Sequence, residues 1–274
     1  YRQIGFEQAG HRFRIHLRPD RIGLGERGLD VRSLSANDEP AIEACYRAFA
    51  SRFNGPLDRS QYIWSRVRER RGEKFDGFGV FDADRLLAYI YIAQRRKSES
   101  GRHDLAVSDA AHVTAASGRR LLTLLADFGT MGDEIELFGG PVHPLLTLMP
   151  LQQYHVQRHE YWMTRVLNVE AALHDRGCPA GVNLDWPLAL RDELIPSNAG
   201  TWTIHANCGE VHASRDAAHP RAISLDIRGL APMYTGFWTP REAAIAGLVE
   251  GPEESLAGGA ALFAGGSPWM SDMF

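Results

Sequence analysis

Hydrophobic and polar positions change period several times along this chain, and each change marks an element. Phe13, Ile15 and Leu17 alternate with Arg14, His16 and Arg18, the period of two that a strand with one wet face requires. YRQIGFE, ahead of it, reads as a separate strand, with Ala9-Gly10 as the break. DRIGLGERG is a charged, glycine-rich loop where a domain boundary is expected. LDVRSL reads as a short strand, and Ser35 or Asn37 as the cap of a helix through EPAIEACYRAFASR. In that helix Ile42, Cys45, Tyr46 and Phe49 fall at helical spacing and Pro40 stands in the first turn. A second, basic helix is expected over residues 59–71, with Tyr62, Ile63 and Val67 as its apolar stripe. FGVFD and LLAYIYIAQ flank the turn Ala83-Asp84-Arg85, which predicts a hairpin whose second arm is apolar enough for a central strand. Gly118–Phe128 predicts an amphipathic helix closing at Gly129, and DEIELFGG and HEYWMTRVL predict strands. This alternation is that of a mixed α/β domain.

After about residue 168 the texture changes. VEAALHDRG predicts a helix closing at Gly177. LALRDEL, GTWTIHANCG, EVHASR and AISLDIRGL predict strands, and TPREAAIAGLVEG and PEESLAGGAALFAG predict short helices before the tail PWMSDMF. The pattern is that of a small α+β domain. The expected division is 1–28 as a remnant and linker, 29–166 as the α/β domain, and 167–274 as the α+β domain.

Composition narrows the class. The chain has 274 residues, a net charge of −4, 44% hydrophobic, 23% charged and 9% aromatic residues, which excludes a disordered chain. A slightly acidic balance argues against a nucleic-acid partner. No window approaches the ~18–20 apolar residues of a membrane span, so no membrane partner is expected. Residues 1–20 contain no apolar stretch of the signal-peptide kind. Cys45, Cys178 and Cys208 are odd in number and far apart, which fits reduced thiols and a cytoplasmic location.

Generic motifs add little. Gly23-Leu24-Gly25-Glu26-Arg27-Gly28 has the letters of a dinucleotide loop, but a strand follows where a helix is needed, so it reads as a linker. His155 and His159 have a spacing that suits a metal on a helix; the residues around them read as a strand and no third ligand is placed, so no metal is expected. Arg66, Arg68, Arg70, Arg71, Arg95, Arg96 and Lys97 read as a solvated basic face diluted by neighbouring carboxylates. There is no G-x-S-x-G elbow, phosphate-binding loop or zinc-finger spacing.

The specific signal lies at the two ends. Tyr1-Arg2-Gln3-Ile4-Gly5-Phe6-Glu7 resembles the Y-x-x-x-G-F segment late in GNAT-type N-acetyltransferase domains, where the tyrosine serves as general acid for the thiolate leaving acetyl-CoA. A phenol suits that role, with a reference pKa near ~10 against ~8.5 for a thiol. Residues 29–166 resemble a second, degenerate GNAT-like domain: a mixed sheet with flanking helices. Its pyrophosphate loop should read R/Q-x-x-G-x-G/A, but the stretch is His112-Val113-Thr114-Ala115-Ala116-Ser117-Gly118, so this domain is not expected to bind acetyl-CoA. Residues 167–274 resemble a sterol-carrier-protein-like domain in Leu225–Ala231 and in Gly236, Arg241-Glu242-Ala243 and Gly247. Together these parts are similar to the C-terminal portion of the Eis (enhanced intracellular survival) family.

That resemblance implies an N-acetyltransferase moving acetyl from acetyl-CoA, as co-substrate, to an amine of a small cationic multi-amine or a lysine. It implies Tyr1 as general acid and the α-carboxylate of Phe274 as base or ammonium anchor. Asp272 is a candidate substrate-binding residue that adds a second negative charge; the position before Phe274, acidic in some relatives, is Met273. The resemblance also implies a homo-oligomer, a hexamer in this family, and a catalytic GNAT domain of which this chain carries only the end, leaving it inactive alone. The tail PWMSDMF has a plainer reading as a hydrophobic anchor pinned by Trp269 and Phe274. An alternative for the whole is a non-catalytic ligand-binding or assembly module.

Overall fold

The apolar run LLAYIYIA becomes a strand buried on both faces, and its side chains alternate between two cores. Ala88, Ile90 and Ile92 enter one, with Leu121, Leu122 and Leu125 of a covering helix. Tyr89, Tyr91 and Ala93 enter the other, with Ile42, Cys45, Tyr46 and Phe49 of one helix and Trp64 and Val67 of the next. A strand with period two between two helical layers has to be apolar at every position, which is why this run shows no alternation in its letters.

The structure, a computed structural model, describes residues 1–97 and 101–273. In chain order its elements are β1 (Glu7–Leu17), β2 (Asp30–Ser33), α1 (Glu39–Ala50), α2 (Gln61–Arg68), β3 (Glu69–Arg70), β4 (Glu73–Lys74), β5 (Asp76–Asp82), β6 (Arg85–Arg96), β7 (His103–His112), α3 (Ala115–Asp127), β8 (Gly132–Gly139) and β9 (Tyr154–Thr164). They continue with α4 (Val169–Arg176), β10 (Asn183–Arg191), β11 (Gly200–Asn207), β12 (Glu210–Arg215), β13 (Ile223–Asp226), α5 (Ile227–Thr235), α6 (Pro240–Ile245), β14 (Val249–Glu250) and α7 (Glu253–Leu262). The chain divides into two units: His11–Glu160 with the tail from Trp269 onward, and Tyr1–Gly10 with Tyr161–Pro268. It is a mixed α/β fold, and the unit that holds the tail carries the long sheet.

That sheet has the order β2-β5-β6-β7-β8-β1-β9. β7 and β8 run parallel, between the antiparallel pairs β6–β7 and β8–β1. Their pairing stops at Ala106↔Glu136, although β7 runs on to His112 and β8 to Gly139. At the same level the β6–β7 register shifts: Tyr91 pairs with Asp109 and Ile92 with Val107, so Ser108 bulges out. A bulge bends and twists its strand, and here it accompanies the parting of β7 from β8.

The other unit holds a five-stranded sheet, β12-β11-β10-β13-β14, with β10 and β13 parallel. Trp186, Leu188 and Leu190 of β10 and Trp202, Ile204 and Ala206 of β11 point inward to a core closed by residues of α4, α5 and α7.

Three local expectations change. YRQIGFE is not a strand but turns through Arg2–Ile4, and β1 then runs unbroken from Glu7 past Gly10, where a Cβ would lie 2.0 Å from the Trp162 ring, so glycine serves close packing. The basic helix is shorter than 59–71; it ends at Arg68 and turns through Arg71 (φ 54°) and Gly72 into β4. AISLDIRGL is half strand and half helix. Asp226 accepts a bond from the Arg228 amide at 2.8 Å and caps α5, a capping role that alternating apolar letters concealed.

Candidate active site

Each tail residue described is fastened within its unit. The Trp269 amide donates to the Asn54 carbonyl (3.0 Å), and the Met270 amide to the His11 carbonyl (3.3 Å). The Trp269 ring lies against Gly140, where a Cβ would come within 2.6 Å of it, and beside Phe53, Phe49 and His143. Arg12 Nε donates to the Ser271 carbonyl at 3.2 Å, and Arg66 Nε to the Met273 carbonyl at 3.1 Å. Asp272 meets Arg59 through Nε (3.1 Å) and Nη2 (2.9 Å).

Arg59 is the centre of this arrangement. Its side chain is 1% exposed and is stacked on Tyr46, 3.8 Å from the ring centroid. Nη1 and Nη2 form a fork on Asp109 at 2.6 and 2.8 Å, and Tyr89 Oη donates to the same carboxylate at 2.5 Å. Ser271 Oγ adds a bond to Asp109 at 3.3 Å. Burial alone would raise the Asp109 pKa, but the charge and fork of Arg59 outweigh it and hold the carboxyl below its ordinary range. Asp272 is raised instead, by burial first and by the neighbouring Asp109 charge, against the pull of Arg59. Tyr89 is pushed well above its usual value, mainly by burial and then by Asp109.

Two histidines beneath the tail are kept neutral. His143 is pushed down to about 3 by burial and by His112, and His112 to about 4 by burial and Arg52. His143 Nδ1 accepts the Leu145 amide at 3.2 Å, which places its proton on Nε2.

Tyr1 stands in the other unit, 85% exposed, at the head of the turn Arg2–Ile4, with its ring edge-on to Phe6 at 5.8 Å. The segment behind it is tied by charge. The buried Glu7 carboxylate takes Arg228 at 2.6 Å and Arg2 at 2.8 Å. Burial would raise Glu7, but the Arg228 bond, the Gln8 amide and the two arginine charges leave it lowered. Arg165 donates to the Ile4 carbonyl at 2.5 Å and holds the buried Asp192 at 2.8 Å. Of the residues the sequence singled out, Tyr1 and Asp272 thus belong to different units, and Phe274 lies outside the described residues. Asp272, expected to offer charge to a substrate, is 8% exposed and has both oxygens on Arg59.

At the start of α3, where a cradle for acetyl-CoA phosphates would lie, the backbone is capped by its own side chains. Thr114 Oγ1 accepts the Ser117 amide (3.1 Å), Ser117 Oγ accepts the Thr114 amide (3.3 Å), and the same hydroxyl donates to the Leu87 carbonyl. Gly118 is packed against Leu148 and His112. A capping box on a buried serine leaves no open nest there for a pyrophosphate.

His155 and His159 sit exposed on β9, and among the described residues no group of three or more His, Cys, Asp or Glu is arranged to hold a metal. Within the basic stretch, Arg68 pairs with Glu39, Arg95 with Glu73 and Glu136, and Lys97 with Asp104 and Asp133. A cavity of about 480 Å³ in the unit that holds Tyr1 is lined by charged residues, Asp185, Asp216, Arg221 and Glu254, and by apolar ones, Leu184 and Trp186. No helix among the described residues is long and apolar enough to cross a membrane.

Sequence reasoning missed Arg59, Asp109 and Tyr89. The available signal was one acid, Asp109, inside the largely apolar run LAVSDAA. A buried acid requires a partner, but the letters do not name it.

Comparisons with known proteins agree with this architecture. Residues 55–166 match the acetyltransferase (GNAT) domain family, and residues 169–271 the sterol carrier protein domain family. A solved GCN5-related N-acetyltransferase from Anabaena variabilis superposes with a TM-score of 0.93 at 28% identity, covering 100% of this chain and 70% of that one. A second, from Kribbella flavida, gives 0.83 at 26% identity, covering 100% and 67%. Eis1 from Mycobacterium abscessus shares the fold, at 0.72 and 22% identity, covering 100% and 70%. No curated protein matches the chain. The chain therefore carries a GNAT-type acetyltransferase domain followed by a sterol-carrier-protein-like domain.

Proposed function

We propose that this chain is part of an Eis-like N-acetyltransferase whose acetyl-CoA cradle lies in residues upstream of Tyr1. Support for acetyl transfer comes from the two domain families in this order and from the similarity, over the full length of this chain, to GCN5-related N-acetyltransferases. The amine nitrogen of a cationic small molecule or lysine attacks the thioester carbonyl of acetyl-CoA, which is a substrate here; the new C–N bond forms and the C–S bond breaks. Tyr1 protonates the departing thiolate.

The α-carboxylate of Phe274 accepts the proton of the amine or holds its ammonium form. A carboxylate of reference pKa ~3.5 is always charged at neutral pH and is a weak base, so its action is as much electrostatic as proton transfer. Because both Asp272 oxygens are buried on Arg59, the ammonium-anchoring role is given to the terminal carboxylate. The single observation that carries this reading at the tail is the network that holds residues 269–273.

The test is acetyl transfer to a multi-amine by the protein with and without the residues that precede Tyr1. Activity is expected only with them, and turnover by residues 1–274 alone would overturn the assignment. A second arm deletes Phe274 from the longer protein. Unchanged turnover there would remove the carboxylate from the mechanism.

A further inference from the structure

Five successive tail residues have dedicated partners drawn from four parts of one unit, and Arg59 holds the only tail side-chain charge among them. Its planar fork is used on two sides. One edge takes Asp109 of β7, and the other takes Asp272 of the tail. Tyr46 and Trp64 cover its faces at 3.8 and 4.8 Å. The result is one positive charge between two carboxylates in a place that excludes water, beside the buried Arg12. Packing alone does not require this. Apolar residues of similar volume commonly fill such a site as well or better, and buried ions of this kind are retained in some proteins because they select one conformation. Trp269 and Met270 already supply the apolar anchor. Arg59 adds direction, because only a guanidinium can bind Asp109 and Asp272 together in this geometry.

We propose that Arg59 is a positioning residue that locks residues 269–273 into one conformation, so that the terminal carboxylate is presented to the amine. The inference rests on the reading of that carboxylate given above. Asp109 is the fixed base of the lock, and Asp272 is the tail's bolt rather than a substrate contact. Arg12 and Arg66, each holding a tail carbonyl, carry the alignment on either side of Asp272.

The test has two readouts. In residues 1–274, hydrogen exchange of the Trp269 and Met270 amides reports the lock directly. Asp272→Asn keeps the Arg59–Asp109 fork and so spares the fold, and it is expected to speed tail exchange about 10–100-fold, the scale of losing one charge-assisted bond. Arg59→Lys, which retains the charge but not the fork, is expected to do the same. Tail amides that stay protected in both variants would overturn the proposal. In the longer protein that includes the residues before Tyr1, Asp272→Asn is expected to lower kcat roughly tenfold or more with the acetyl-CoA KM unchanged, as loss of a positioned group does. A loosened tail with unchanged kcat would also overturn it. Failure of the carboxylate reading shows separately, in the Phe274 deletion. If that deletion abolishes turnover while Asp272→Asn leaves the tail protected, the lock is wrong and the carboxylate stands.

Discussion

We propose one reaction for the two ends of this chain, and the residues near them are held by opposite means. At the start, Tyr1 stands in solvent on a short turn, and the fastening lies behind it in Glu7, Arg228 and Arg165. At the other end the fastening acts on the tail residues themselves, which are threaded past Trp269 into a buried ion triplet. The difference teaches that a group which donates a proton at a surface needs only a firm base. In the tail, each of residues 269–273 has its own partner.

The comparison predicts that the tail's unit is the more sensitive to a single change. Arg59→Leu strands Asp109 and Asp272 as uncompensated buried charges and is expected to cost about 3–5 kcal/mol. Its readout is the urea midpoint followed by tryptophan fluorescence, and a loss below about 1 kcal/mol would mean that the triplet is not buried as described.

Acidification comes next. His143 and His112 have pKa values below that of the unfolded chain, so their contribution is complete above about pH 6.5 and is lost as pH falls toward about 3 and 4. Between pH 7 and pH 5 each is expected to remove on the order of 2 kcal/mol. His143→Phe should flatten the slope of stability against pH over that interval, and an unchanged slope would remove His143 from the account.

At the chain's start the effects are smaller. Glu7→Gln keeps the shape but leaves Arg228 and Arg2 without their anion, for an expected ~1–3 kcal/mol, read by thermal unfolding of residues 1–274. Tyr1→Phe closes the series. Its stability change is expected within about 0.5 kcal/mol because the side chain is exposed. Turnover of the longer protein is expected to fall about 10²–10⁴-fold, as for loss of a general acid. A Tyr1→Phe protein that is destabilised but fully active would reverse the comparison.

How far the letters carried depended on whether an element's cause was local. The β5–β6 hairpin was legible because its turn and its apolar arm are adjacent, and the α3 helix because its leucines repeat at short spacing. α5 was hidden, since the strand-like alternation of β13 runs into its Asp226 cap. In the sequence Arg59 falls at the start of the basic helix expected over residues 59–71. It lies just before α2, buried, with partners 50 residues away in Asp109 and 213 away in Asp272. The tail left two readings open, anchor or catalytic end. The described residues show the anchor through Trp269, and the catalytic role remains our proposal for Phe274.

By itself the sequence determined the layers of each domain, because hydrophobic period is a property of neighbouring residues. It also determined the absence of an R/Q-x-x-G-x-G/A loop before α3, since a motif is either spelled or not. Only the tertiary structure decided that Thr114 and Ser117 close that helix start on themselves, that Gly10 and Gly140 are glycine to admit tryptophan rings, and that Arg59 joins two acids. A buried charge is stable only with a partner in the right geometry, and that geometry exists only once strands and tail have been brought together from opposite ends of the unit's sequence.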